Sequence, residues 1–418
     1  MNKEKQKPAL SGVERVVHEL RFPEFENDGE WEVKKISKVC EKPFSGGTPT
    51  STKKEYYGGN IPFIRSAEIN KDRTELFLTE QGLENSSAKM VDKGDVLVAM
   101  YGANSGDVGV SKIYGAINQA ILCLRSKKNN VFLYHYLTHS KNWIINKYLQ
   151  GGQGNLSGDI IKSVELCFPK NPKEQQKIAN CLSSLDNLLT AETEKLDHLK
   201  DHKKGLLQQL FPAKGETKPQ FRFPEFKNDG DWVETTLDDV ADYENGKAHE
   251  KEISETGKYK VVNSKFISTD GKVVKFTNSA NLKAKLGDVL MVLSDIPNGK
   301  AIAKCFYVDK DDTYTVNQRI CKITPTDIDN KFLFYIQNRN SYFLAFDDGV
   351  KQTNLRKDDV LSFPFLKPKD PKEQQKIANC LSSADNLIQS QTTKIEALKE
   401  HKKGLMQQLF PNVNESAV

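Results

Sequence analysis

No stretch of this 418-residue chain approaches the ~18 consecutive apolar residues of a membrane-spanning helix, so no membrane association is expected. The opening MNKEKQKPAL lacks the apolar core of a secretory signal. The cysteines (Cys40, Cys123, Cys167, Cys181, Cys305, Cys321 and Cys380) are odd in number and form no C-x-x-C pair. That argues against a disulfide framework or a zinc site and fits a reducing cytoplasm. There is no G-x-x-x-x-G-K-[ST] loop, and Gly102–Gly106 and Gly152–Gly158 lack G-x-G-x-x-G spacing. No N-P-P-Y or D-P-P-Y segment of the adenine-methyltransferase kind occurs. A nuclease-type Asp…Glu-x-Lys following a strand is also missing, since the similar Asp370–Lys376 opens a helix. His135 and His139 have i, i+4 spacing but no apparent third ligand, so structural roles are expected and no metal. Catalytic residues and cofactors are therefore expected to be absent from this chain.

What is present is a sequence written twice. PKEQQKIANCLSSLDN (Pro172–Asn187) returns as PKEQQKIANCLSSADN (Pro371–Asn386), with one difference. HKKGLLQQLFP (His202–Pro212) returns as HKKGLMQQLFP (His401–Pro411), and RFPEFENDGEW (Arg21–Trp31) as RFPEFKNDGDW (Arg222–Trp232). Between the blocks only anchors survive: GDVL at Gly94 and Gly287, Asn118-Gln119 and Asn317-Gln318, Asn155-Leu156 and Asn354-Leu355. A repeat of this kind implies two copies of one fold. The near-identical parts do one job twice, and the divergent parts do two different jobs. Charge divides the same way. Glu32–Asn171 holds 19 Lys+Arg against 13 Asp+Glu, or +6, while Val233–Asp370 holds 21 of each. A mildly basic region and a neutral one are weak evidence for a nucleic-acid partner taken alone.

After Pro172 the apolar residues Ile178, Leu182, Leu185, Leu189, Leu196, Leu199, Leu206 and Leu210 step by four and three, with Glu192 and Lys203 in the gaps. The second copy has Ile377, Leu381, Ala384, Ile388, Ile395, Leu398, Leu405 and Leu409, with Gln391 and Lys402 in the gaps. This is a heptad seam. Proline starts each helix, Glu174 and Glu373 suit the positive end of the helix dipole, and Phe211-Pro212 and Phe410-Pro411 end it. Each helix runs roughly 55–60 Å at ~1.5 Å per residue. So long a helix with so narrow a seam needs a partner, and the other copy is the first choice; packing on its own domain is the alternative.

The variable regions alternate short β-rich runs with turn residues, each followed by a helical stretch (131–149 and 329–345), which reads as α+β. Four stretches rich in small polar residues are candidate binding loops: Ser45–Pro49, Tyr101–Gly106, Gly151–Gly158 and Lys351–Asn354. Such loops let backbone amides approach phosphates and short side chains approach base edges. Plain hairpin turns explain any one of them equally well.

Over nearly its whole length this pattern resembles the specificity subunit of bacterial type I restriction–modification enzymes. The resemblance is carried by the alternation of reader and helix, the repeated blocks, and SGGTPTSTKKEYYGGNIPFIRSAEI (Ser45–Ile69) in the first reader. The second reader departs from it with YENGKAHEKEISETGKYKVVNSKFI (Tyr243–Ile267). The resemblance implies two similar α+β target-recognition domains separated by two long helices that pair as an antiparallel coiled coil, with a pseudo-two-fold repeat. The expected organisation is a tail at 1–17, domains at 18–170 and 222–369, spacer helices at 171–212 and 370–412, a linker at 213–221 and a tail at 413–418. It further implies an asymmetric bipartite double-stranded DNA target with an unread gap, its half-sites about one helical turn (~34–36 Å) apart. Two copies of a methyltransferase subunit would use S-adenosylmethionine. Restriction subunits would use ATP and Mg²⁺.

Expected DNA contacts are Lys53, Lys54, Tyr56, Arg65, Tyr101, Asn104 and Ser105 in the first domain. In the second they are Lys265, Ser294, Asn298, Lys300, Lys351, Gln352 and Arg356. Lysine and arginine suit phosphates, and Asn, Gln and Ser suit base edges. Two rivals remain at this stage: a nuclease or methyltransferase acting alone, against which the missing motifs argue, and a coiled-coil protein adaptor that binds no DNA.

Overall fold

The computed structural model describes residues 19–148, 155–249, 251–297 and 299–411. The chain divides into two compact units, Met1–Thr193 with Thr393–Val418, and Glu194–Thr392. Each unit is an α+β domain completed by part of both long helices.

In the first unit one antiparallel sheet has the order Phe44–Ser45, Ile121–Leu124, Val96–Ala99, Val108–Val110. A second has the order Leu76–Leu78, Tyr57–Ile64, Gly115–Ile117, Lys89–Val91, and its central pair is parallel. The second unit repeats this order. Its sheets are Ala241–Asn245, Ile320–Pro325, Val289–Val292, Cys305–Tyr307, and Lys275–Thr277, Tyr259–Val262, Tyr314–Val316, Lys283–Ala284, the latter again with a parallel central pair. The GDVL anchors explain themselves here. Gly94 and Gly287 take left-handed φ of +92° and +93°, which glycine adopts without steric cost. The buried Asp95 and Asp288 carboxylates accept the amides of Asp92 (2.8 Å) and Lys285 (2.7 Å), closing the turn. The strands that follow are buried along their whole length.

The expected helix at 131–149 is present as Asn130–Tyr148. The one expected at 329–345 is not continuous. It forms Asn330–Gln337 and Ser341–Leu344, because Arg339 adopts φ +55° and the Asn340 side chain caps the second piece by accepting the Tyr342 amide.

The long helices are Pro172–Leu210 and Pro371–Leu409. No seam position is exposed, whereas the off-seam Leu188 and Leu387 are. Both earlier packing alternatives are realised. Ile178, Ala179 and Leu182 pack into the first domain's own core, and that core is closed by Met406, Leu409 and Phe410 from the other helix. Tyr136 stacks on Phe410 at 4.5 Å. In the second unit Ile377, Ala378 and Leu381 share a cluster with Leu206, Leu207, Leu210 and Phe211. Within each unit the pairing is antiparallel. Asp186 and Glu192 meet Lys402 and Lys394 in the first, and Lys203 donates to Asp385 at 2.5 Å in the second. The polar residues in the gaps thus include cross-helix ion pairs, which fix register more than they add stability.

Candidate nucleic-acid interface and its framework

The near-identical blocks build one device twice. Glu174 is wholly buried. Arg21 donates to both of its oxygens (Nε to Oε1 and Nη2 to Oε2, 2.7 Å each), and Trp31 Nε1 donates to Oε1 at 3.0 Å. Arg21 Nη1 reaches Gly29 O at 2.7 Å. In the second unit Arg222 donates to Glu373 at 2.8 and 2.7 Å, Trp232 at 3.3 Å, and Arg222 Nη1 to Gly230 O at 2.6 Å. The hydrogen bonds donated to Glu174 and Glu373 outweigh burial and raise the pKa of Arg21 and Arg222. A bidentate charged pair with a third donor fixes the angle between the helix start and the domain. Helix-dipole reasoning located Glu174 and Glu373 but missed this partnership. The available signal was that RFPEF…W and P-K-E recur together.

Two of the surviving anchors, Asn118-Gln119 and Asn155-Leu156 with their counterparts, meet at the far end of the strand that GDVL opens in each domain. In the first, Leu156 N donates to Met100 O (2.9 Å) and Met100 N to Ala120 O (2.8 Å). The loop 101–106 is therefore clamped between the two other anchors. Asn155 Oδ1 accepts from Gly102 N at 3.3 Å, and Ser105 Oγ donates to Met100 O at 3.0 Å. In the second, Leu355 N donates to Leu293 O and Leu293 N to Arg319 O, both at 2.8 Å. Ser294–Asp295 pairs with Thr353–Asn354, and Gln352 Nε2 donates to Ser294 Oγ at 2.6 Å. The loop is folded around Asp295, which accepts the amides of Ile296 (2.9 Å), Ala301 (2.6 Å) and Ile302 (3.1 Å). Gly106 and Ala303 end the two loops with φ of +84° and +53°. Glycine takes that conformation freely, whereas alanine and the exposed Arg319 (φ +68°) are strained, and such strain concentrates at functional positions.

These tips hold Tyr101, Asn104 and Ser105 in one domain and Ser294, Lys300, Lys351 and Gln352 in the other, with Arg356 just beyond Leu355. Tyr101, Lys300, Lys351, Gln352 and Arg356 are exposed. Ser294 is corrected to a supporting role, since it is buried and bonded to Gln352. Asn298 and residues 151–154 lie outside the described residues.

The other expected contacts lie apart from the tips. Lys53 and Lys54 are exposed, and Lys53 Nζ donates to Tyr56 OH at 3.0 Å. Tyr56 is corrected in the same way, being 5 % exposed and bonded to Lys53. Arg65 is engaged by Glu68 and Glu75. Burial pushes the Glu68 carboxyl up, but the bonds from Arg65, the Glu75 amide and Thr74 bring it down to about 2. Lys265 is exposed on Ser264–Ser268. In the Ser45–Pro49 stretch a Cβ on Gly46 would lie 1.8 Å from Ile117 O, and one on Gly47 2.6 Å from Ser87 Cβ. Close packing accounts for both glycines without any phosphate.

All seven cysteines are free. Among the described residues no cluster of His, Cys, Asp and Glu is arranged to hold a metal, and no helix is long and apolar enough to cross a membrane.

The family described as the type I restriction modification DNA specificity domain matches residues 28–201 and again 229–400. The type I restriction enzyme MjaVIII specificity subunit of Methanocaldococcus jannaschii is 25% identical over 418 residues, covering 94% of each chain. The MjaIX specificity subunit of the same organism is 33% identical over 172 residues, 38% of this chain and 39% of that one. Among solved structures, the S subunit of a type I restriction–modification system from M. genitalium superposes with a TM-score of 0.62 at 17% identity, over 95% of this chain and 100% of that one. A chain from a study of the complex assembly and conformational transition of the type I system gives 0.54 at 14% identity, over 92% and 98%. At these identities the structural matches speak for the fold.

Proposed function

Since this chain belongs to the family of type I restriction–modification DNA specificity domains, carrying two copies, we propose that it is a non-catalytic specificity subunit that reads an asymmetric, bipartite double-stranded DNA target with an unread gap. The observation that carries this reading is the contrast between framework and tips. Two domains share strand order, anchor bonds and the Arg–Glu–Trp device, yet present different tip residues. The readers are 18–170 and 222–369, joined by the spacer helices. Lys53, Lys54, Lys265, Lys300, Lys351 and Arg356 hold phosphates, while Tyr101, Asn104, Ser105 and Gln352 face base edges.

The chain also scaffolds two methyltransferase subunits, and through them the restriction subunits. S-adenosylmethionine, ATP and Mg²⁺ belong to those partners. The helix surface supports this. Asn180, Ser184, Asn187 and Leu188 are exposed, and their counterparts Asn379, Ser383, Asn386 and Leu387 are exposed and identical. Further along, exposed positions have drifted, as at Thr190 and Gln389 or His198 and Ala397. Identity that folding does not require, present twice, suits two copies of one partner.

The test is single-molecule methylome sequencing of the host with and without the gene, the partner methyltransferase being expressed. Loss of methylation at one gapped adenine motif is the expected result. An unchanged methylome refutes the reading.

A further inference from the structure

In the second domain two arms run on past the short Ser294–Asp295/Thr353–Asn354 ladder. One carries Ile296 and the other Val350. These are 70 % and 76 % exposed, the two highest values among the large apolar side chains of the described residues. A lone exposed aliphatic residue is ordinary. Two at the ends of arms joined by one ladder form a built surface. The arms are also held stiffly: Asp295 gathers the amides of Ile296, Ala301 and Ile302, and Asp348 those of Val350 and Lys351 (2.9 and 3.0 Å). Asp295 and Asp348 remain anionic, with these carboxylate oxygens turned to loop amides. Asp347 does so too, accepting the Gly349 amide at 3.0 Å. Lys351 follows Val350, Lys300 lies in the loop that starts at Ile296, and Arg319 O accepts the Leu293 amide at the base of the same arm; all three side chains are exposed. Apolar side chains on arms that also carry exposed cations fit a polyanion that displays apolar groups. Duplex DNA displays one such group among its base edges, the thymine C5-methyl in the major groove.

We propose that Ile296 and Val350 form the apolar reading point of the second domain, contacting thymine methyl groups of its half-site while the neighbouring cations hold the flanking phosphates. This rests on the specificity-subunit reading. It adds the chemistry of the contact: at least one A·T pair in that half-site is read through its methyl group.

The experiment uses the full chain assembled with its methyltransferase partner and duplexes carrying the methylome-defined target. Each thymine is replaced singly by deoxyuridine, which removes only the methyl. Wild-type complex is expected to bind about fourfold more weakly at one or two positions of one half-site, the effect of returning one methyl group's contact surface to water. The Ile296→Ala/Val350→Ala double variant should bind thymine and uracil duplexes equally there, and should keep the wild-type response at the other half-site. Both substitutions are at exposed positions, and thermal unfolding checks that the fold is intact. Equal binding of thymine and uracil by wild type, with sequence-specific binding retained, overturns the proposal and leaves the specificity reading standing. So does a pair of half-sites without thymine on either strand, or a double variant that binds DNA normally and fails only to assemble with the methyltransferase. Absence of any sequence-specific binding overturns both.

Discussion

Replacing Glu174 by alanine tests whether the repeated Arg–Glu–Trp device holds each domain to its helix. The substitution removes an acceptor of three hydrogen bonds. It takes the bidentate counter-charge from the Arg21 guanidinium, whose side chain is 14 % exposed, and the Glu174 acceptor from the Trp31 indole. Removing one partner of a buried ion pair costs about 3–5 kcal/mol. Against a typical stability of roughly 5–15 kcal/mol, that is a large fraction of the unit's reserve. Glu373→Ala should cost a similar amount in the second unit, because Arg222 and Trp232 repeat the geometry. Urea unfolding followed by tryptophan emission separates the two. Trp31 and Trp143 report the first unit and Trp232 the second, and Trp143→Phe leaves one reporter in each. Glu174→Ala should move the Trp31 transition to lower urea and leave that of Trp232 largely in place. The double variant Arg21→Met/Glu174→Met, which removes both charges, should recover most of the loss, since apolar replacement of a buried pair is often neutral. A single-variant loss below about 1 kcal/mol, or a double variant as damaged as the single, would refute the reasoning.

Three further outcomes are expected. Gln337 is wholly buried, and neither its Oε1 nor its Nε2 has a hydrogen-bond partner among the described residues; Gln337→Leu should stabilise the second unit by about 1–3 kcal/mol in denaturant unfolding, and a loss of stability would point to a hidden partner for the amide. Leu188→Lys with Leu387→Lys should leave folding unchanged by circular dichroism and abolish co-purification with the methyltransferase subunit; intact assembly removes those residues from the docking surface. Burial, aided by Lys402 and opposed by Asp186, lowers the His135 pKa to about 4. The unfolded chain then takes up a proton near pH 6.5 that the folded chain refuses until near 4, so stability of the first unit should fall as pH falls across that window, by on the order of 3 kcal/mol. His135→Phe should flatten that part of the pH profile, and a profile unchanged by the substitution would show that His135 is not the group responsible.

The long helices, their seam and the shared α+β domains were legible because each rests on a local pattern: heptad spacing, a proline start, a glycine–aspartate turn before an apolar strand. The partnership of Glu174 with Arg21 was not, since 153 residues separate them and no periodicity joins them. The break at Arg339 was also hidden, because Asn338-Arg339-Asn340 carries neither glycine nor proline. Residue type did not separate the exposed Gln352 and Lys300 from the buried Ser294 and Tyr56. Whether a polar side chain faces water depends on strand neighbours that only the fold assigns. The need for glycine at 46 and 47 was hidden for the same reason, since it comes from the closeness of Ile117 and Ser87.

The way the first domain is closed bears on how the molecule is made. Its core needs Met406, Leu409 and Phe410, and the Leu20 amide donates to Gln408 O at 3.1 Å. The second unit occupies one unbroken stretch, Glu194–Thr392. During synthesis, domains form as their residues emerge. The domain that leaves the ribosome first is therefore the last to be finished. Until the final helix arrives it waits with an open apolar face, through the time needed to translate more than two hundred residues. That interval is when the chain is most exposed to aggregation and to chaperones. A chain ending after Thr392 but before the last helical turns would carry a completed second unit attached to an unfinished first one.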